Sequence, residues 1–193
     1  MVQPGIEKNE VIQGVVDYDI GSVYVDAAAM LPCSTNGAAQ GTYEYGTNDV
    51  ELDYYAFDGG ATEERVQFKL VMPEDWDRST IKAKFYWSSA TSSTANDTVQ
   101  WGIKAGALAD SDAIDTALGT AQVITDTLLA DNGGDIQITS TTPAITPAGS
   151  PTLNEMIVFE VYRDTSGTDN MTEDAWLFGV LIQYKQTKSI ANW

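Results

Sequence analysis

The sequence predicts an all-β fold: an antiparallel β-sandwich, jelly-roll-like, with one short helix and an extended N-terminal arm. Three observations carry this. From residue 50 onward apolar and polar residues alternate with period two in one segment after another. Turn chemistry separates those segments at intervals of roughly 8–12 residues. No long amphipathic helices alternate with them, as a parallel βαβ sheet would require. About eight main strands in two sheets with long loops is the usual form of a jelly roll.

Residues 1–22 have no long period. The apolar run Val11-Ile12-Gln13-Gly14-Val15-Val16 is split by Gly14, which reads as an extended arm with one short strand. Pro32, Asn36-Gly37 and Gly41 are turn formers, so residues 32–48 read as a surface loop. Strands follow at 50–57, 66–70 and 81–87, the last placing Ile81, Ala83, Phe85 and Trp87 on one face with Lys82 and Lys84 opposite. After a Ser/Thr-rich turn at 88–98 comes 99–105, with Val99, Trp101, Ile103 and Ala105 on one face. These two strands read as sequential antiparallel neighbours. Asp110-Ser111-Asp112, the apolar stripe Ala113, Ile114, Ala117, Leu118 and the stop at Gly119 predict a helix of about two turns. Further strands are expected at 121–125, 136–141, 156–163 and 177–185. Pro143, Pro147 and Pro151 make the connection after 141 extended. The organisation expected is an N-terminal arm and loop at 1–42, a sandwich at 43–186 and a tail at 187–193.

Composition narrows the chemistry. The 193 residues include no histidine and one cysteine, Cys33. A Ser-His-Asp triad, a His-ligated metal, an internal disulfide and a CxxC pair are therefore all excluded. With 28 acidic and 10 basic residues the formal charge is −18, against both nucleic acid and an anionic membrane as partners. Twelve of the acids fall in residues 1–64 against one base, Lys8. At 43% hydrophobic and 10% aromatic, the chain is nonetheless built to fold. The opening Met1-Val2-Gln3-Pro4-Gly5 has no signal-peptide character, and Cys33 fits a reducing cytosol as a small buried hydrophobe.

Each candidate site has a plainer reading beside it. Glu74 and Asp75, next to Trp76 and Asp77, are the most site-like carboxylate pair for a glycosidase, but they also read as a capped turn. Residues 131–135 and 164–174, with Asp131, Asp135, Asp164, Asp169, Glu173 and Asp174, offer oxygens for calcium. Neither follows the EF-hand spacing, and solvated turns are the plainer reading. Trp76, Trp87, Trp101 and Trp176 with nearby tyrosines are candidates for a sugar-stacking platform. Trp87 and Trp101 lie on apolar strand faces and read as core. Trp76, in a turn, and Trp193, at the terminus, are then the residues for a ligand or partner. No Walker, GxGxxG, GxSxG or HExxH motif occurs, so no enzymatic activity and no cofactor are expected.

One order of motifs is familiar. Tyr45-Gly46-Thr47-Asn48-Asp49-Val50, Phe57-Asp58 and Phe68 through Met72-Pro73-Glu74-Asp75-Trp76-Asp77 lead into Ile81 and Phe85-Tyr86-Trp87. Val99-Gln100-Trp101-Gly102-Ile103, then residues 112–121, Phe159-Glu160-Val161-Tyr162-Arg163-Asp164 and Leu177-Phe178-Gly179-Val180 complete it. Over about residues 43–184 the chain resembles a family of virion-associated proteins of tailed bacteriophages. The resemblance implies a structural component of the virion, a capsid decoration protein or a fibre or spike subunit, made in the host cytoplasm. It carries over no catalytic residue. Its partners would be the major capsid protein or tail components, and analogy of fold adds a homotrimer. Val11, Ile12, Val15, Val16 and Tyr18 would form the attachment or subunit-exchange interface. The alternative is a carbohydrate- or receptor-binding module.

Overall fold

The computed structural model describes residues 20–60, 62–131 and 133–187. It is an antiparallel β-sandwich. In chain order the strands are β1 (Ile20–Asp26), β2 (Leu31–Pro32), β3 (Ala39–Tyr45), β4 (Val50–Phe57), β5 (Arg65–Val71) and β6 (Trp76–Ser89). They continue with β7 (Thr98–Leu108), β8 (Gln122–Thr127), β9 (Gln137–Ile138), β10 (Met156–Arg163) and β11 (Ala175–Gln186). The first sheet runs β3-β4-β11-β6-β9, with β1 also paired to β11; the second runs β2-β5-β10-β7-β8.

Period two places one face of each strand inside. Val66 and Phe68 of β5, Val99, Trp101, Ile103 and Ala105 of β7, and Ile157, Phe159 and Val161 of β10 face Tyr55, Phe57, Ile81, Ala83, Phe85, Trp87, Val180 and Ile182 of the other sheet. All are essentially excluded from solvent. At the centre, the Trp101 ring is edge-on to Phe57 at 5.1 Å, stacked near Phe85 at 5.6 Å and edge-on to Trp87 at 6.3 Å. Trp87 and Trp101 thus belong to opposite sheets. β6 and β7 are not lateral neighbours as expected: β6 pairs with β11 and β9, β7 with β10 and β8. Both sequences bury one apolar face, so alternation alone cannot tell pairing within a sheet from packing across the core.

Three other expectations are corrected. Residues 20–42, expected as arm and loop outside the sandwich, are part of it. β1 pairs with β11 over seven positions, and Val25, Ala27, Met30 and Ala38 join the core. Residues 39–45, expected as loop, form β3, hairpinned to β4 from Ala39↔Ala56 to Tyr45↔Val50. The predicted helix is absent, and the one helical element among the described residues is a 3-10 turn at Ala27–Ala29. Residues 109–121 instead follow an irregular path. Asp112 N–H bonds Ala109 O, Ser111 takes φ 71°, and Gly119 N–H donates to Ala105 O of β7. Seven residues are too few to repay helix nucleation, and the edge of β7 offers their backbone an alternative partner.

The stretch expected as a strand at 136–141 pairs regularly only at β9. Beyond it the chain still covers the edge of β6, now with threonine hydroxyls. Thr139 and Thr142 accept from Phe85 N–H and Ala83 N–H, and their own N–H groups donate to the carbonyls of the same two residues. Ile145 exchanges both backbone bonds with Ile81, and Ala148 reaches Ala105 and Ala107 of β7. The proline-spaced connection therefore closes the open side of the sandwich, which would otherwise expose unpaired strand edges.

Candidate functional site

β11 pairs with β4 at only three positions, Tyr55, Ala56 and Phe57. The rest of the β3–β4 hairpin projects past the sandwich, its residues exposed or half-buried on both faces. One face of the hairpin is acidic: Glu44, Glu51 and Asp53 lie there, with Thr42 Oγ1 donating to Asp53 Oδ1 at 2.9 Å. The other is aromatic. Tyr43, Tyr45 and Tyr54 alternate onto it, and Trp176 of β11, which faces outward between the inward Ala175 and Leu177, joins them.

The rings touch. Tyr54 lies across Gly41 of the neighbouring strand, where a Cβ would stand 2.5 Å from its Cζ, so only glycine leaves the ring that position. Trp176 stacks on Tyr54 with centroids 4.3 Å apart and planes 15° from parallel. Tyr43 tilts against Trp176 at 5.3 Å and meets Tyr45 edge-on at 4.8 Å. Tyr43 remains 39% exposed, and the other three rings are half-buried. Burial, then the neighbouring Tyr43, pushes the Tyr45 hydroxyl above its ordinary value, keeping it a proton donor at neutral pH. On the same outer face Tyr24 and Tyr86 make a second edge-on pair at 5.3 Å. Burial, then Asp26 and Tyr86, pushes the Tyr24 hydroxyl up to about 12.

Such a row offers broad apolar ring area with hydroxyl tips at its edge. That combination suits a ligand with alternating C–H faces and hydroxyls. The acids on the back of the hairpin and the overall charge oppose an anionic ligand.

The sequence-derived candidates fall elsewhere. Trp76 is not in an exposed turn. It opens β6 at 2% exposure within the core although it is out of phase with Ile81, Ala83, Phe85 and Trp87. An irregularity in the pairing with β11 between Ile81 and Trp76, with Arg78 at φ 60°, turns its side chain back inward. The acids beside it are engaged locally: Asp75 accepts from Tyr184 Oη at 3.2 Å and Gln186 Nε2 at 2.5 Å, and Asp77 from Ser79 N–H and Oγ. Asp131 accepts from Ala95 N–H, Asp164 from Ser166, and Asp169 is held by Arg163. Among the described residues no group of three or more His, Cys, Asp or Glu is placed to hold a metal. Val11, Ile12, Val15, Val16, Tyr18 and Trp193 lie outside the described residues. The signal for the aromatic row was the spacing Gly41-Thr42-Tyr43-Glu44-Tyr45, a period-two segment in a stretch whose turn residues read as loop.

No protein-family model matches the sequence, and no curated protein does. Solved structures do. The CBM22-2 xylan-binding domain of Paenibacillus barcinonensis Xyn10C is 14% identical at TM-score 0.47, over 86% of this chain and 99% of that one. The CBM22-1–GH10 modules of Clostridium thermocellum xylanase 10B, in complex with xylohexaose, are 16% identical at TM-score 0.46. The match covers 86% of this chain, which spans 28% of that longer one. A carbohydrate esterase from the Shiga toxin-encoding bacteriophage phi24B is 7% identical at TM-score 0.31, over 86% of this chain and 91% of that one. None reaches a TM-score of 0.5, and none bears on what this chain binds.

Proposed function

We propose that this chain is a non-enzymatic recognition module that holds a neutral glycan on its aromatic face. The observation that carries the reading is the stack of Trp176 on Tyr54, flanked by Tyr43 and Tyr45, on a hairpin that stands clear of the sandwich. A pyranose presents an apolar C–H face that packs on such rings, while its hydroxyls reach the tyrosine tips and water. A glycan array, followed by titration of the best binder, tests it. Trp176→Ala is expected to weaken binding at least about tenfold, as removal of a central aromatic anchor does. Because Trp176 faces away from the core, the thermal midpoint should move little. Silence across the array, or an unchanged affinity in Trp176→Ala, would sink this reading.

The resemblance of its motif order to that of tailed-phage virion proteins suggests a setting for that face: a capsid decoration protein or a fibre or spike subunit. As a homotrimer, such a subunit would present three weak glycan sites together and gain by avidity. Antibody against this chain, followed by gold labelling of purified particles, is expected to mark the capsid surface or the tail. Unlabelled particles would remove the virion assignment and leave the glycan face standing.

A further inference from the structure

The outer face of the second sheet holds a depression of about 580 Å3, within the roughly 300–1,000 Å3 of small-ligand sites. Its floor is polar. Glu160 lies on the solvent side of β10, yet its side chain is only 10% exposed. Oε1 stands 2.8 Å from Lys104 Nζ and 3.8 Å from Arg65 Nε, and Oε2 accepts from Gln67 Nε2 at 2.9 Å. Its walls are apolar: Leu108 and Val158 from the strands, and Ile114 and Leu118 from the irregular 109–121 segment. Leu118 packs over Gly106, where a Cβ would lie 2.9 Å from its Cδ2. The segment expected as a helix is thus one wall of the depression.

The floor has hydrogen-bonding capacity to spare. An ammonium has three donors, and the Glu160 contact uses one on Lys104. Glu160 Oε1 is buried, so the acceptors that remain for a ligand are the Gln67 carbonyl oxygen and the second lone pair of Glu160 Oε2. Burial alone would push the Glu160 carboxyl up, but the bonds from Lys104 and Gln67 and the charges of Lys104 and Arg65 outweigh it. Together they hold the carboxyl below the ordinary range, so it is ionised at neutral pH. Lys104 and Glu160 then largely cancel each other. Asp115 at the wall repels an anion, while Arg65, 3.8 Å from Glu160, repels a cation. What fits is a neutral group that gives and accepts side by side, with apolar C–H surface for the leucines. Vicinal hydroxyls on a sugar ring have that pattern: one donates to Glu160 while its neighbour accepts from Lys104.

We propose that this depression is a second saccharide site, taking a single neutral pyranose unit through a vicinal diol. It is read from other residues on the other sheet, so it stands or falls apart from the aromatic row. The test is a 1H–15N correlation titration of the full chain with the methyl glycosides of glucose, galactose, mannose, xylose and N-acetylglucosamine. At least one is expected to give saturable shifts at the amides of Lys104, Gly106, Val158 and Glu160, and to give the same shifts in Trp176→Ala. Lys104→Gln should weaken that binding about tenfold or more. Ile114→Asp, at a wall residue 87% exposed and so harmless to folding, should weaken it about threefold. Absence of saturable shifts with all five sugars overturns the proposal. So does equal affinity in both variants. Shifts at these amides that follow protein rather than sugar concentration would put a second copy of the chain there and also overturn it.

Discussion

Arg163→Met should destabilise the protein by about 3–5 kcal/mol, a large part of the roughly 5–15 kcal/mol that holds a typical domain together. Arg163 ends β10 with no exposure, and all five of its N–H groups have acceptors. Nε and Nη2 fork onto Asp169 at 2.9 and 2.8 Å, Nη1 donates to Phe57 O at 3.0 Å and Glu173 O at 2.8 Å, and Nη2 also reaches Met171 O. The guanidinium therefore ties the end of β4 and the β10–β11 connection to the core. Asp169 extends the tie to β7 by accepting from Gln100 N–H at 3.0 Å. Methionine fills similar space but leaves a carboxylate only 3% exposed without its counter-charge and three carbonyls without their donor.

In urea, with a slope of about 2 kcal/mol/M, the midpoint should fall by about 2 M. Arg163→Lys should recover only part of this, since an ammonium has three donors and cannot form the planar fork. The double variant Arg163→Met with Asp169→Leu should cost clearly less than the two single changes added together, because it leaves no orphaned charge. A midpoint for Arg163→Met within about 0.5 M of the parent would show the network to be incidental.

That network shows where sequence reading succeeds and where it stops. Ile81, Ala83, Phe85 and Trp87 alternate because water lies on one side and core on the other, so their strand is written in the sequence. β3 has no such contrast. Its hairpin stands in solvent on both faces, and the residues that alternate are tyrosines against threonine and glutamate. The 112–118 stripe carries apolar helical spacing, yet Ile114 is 87% exposed and Leu118 lies on β7 instead. Spacing reports which residues avoid water, not which backbone partner is nearer. Trp176 was visible as one of five indoles. What sets it apart from Trp87 and Trp101 is the face its strand turns outward, fixed by a register shift in β11 between Leu177 and Gly179. The saccharide depression draws on β5, β7, β10 and a loop, and such a combination exists only after folding. Arg163 had a legible trace: a guanidinium in phase with Ile157, Phe159 and Val161, where a core residue belongs.

The two central indoles should respond unequally to one and the same conservative substitution. Trp101→Ala and Trp87→Ala are both expected to cost about 3–5 kcal/mol, since each empties a large volume at the contact between the sheets. Phenylalanine separates them. Trp87 Nε1 donates to Asp126 Oδ2 at 2.8 Å across the sandwich, so Trp87→Phe loses packing and also takes a charge-assisted bond from a half-buried carboxylate. Trp101 Nε1 is buried with no acceptor among the described residues, so Trp101→Phe removes a donor that earlier cost stability. The volume lost is the same, and the hydrogen-bond difference of about 1–3 kcal/mol decides the order. Trp87→Phe should be the less stable of the two by at least about 1 kcal/mol, read as the difference between their urea midpoints. Equal midpoints, or the reverse order, would mean that ring packing on Phe57 and Phe85 outweighs the Asp126 bond. The core would then be held by shape alone, and the polar contact between the sheets would contribute nothing to their pairing.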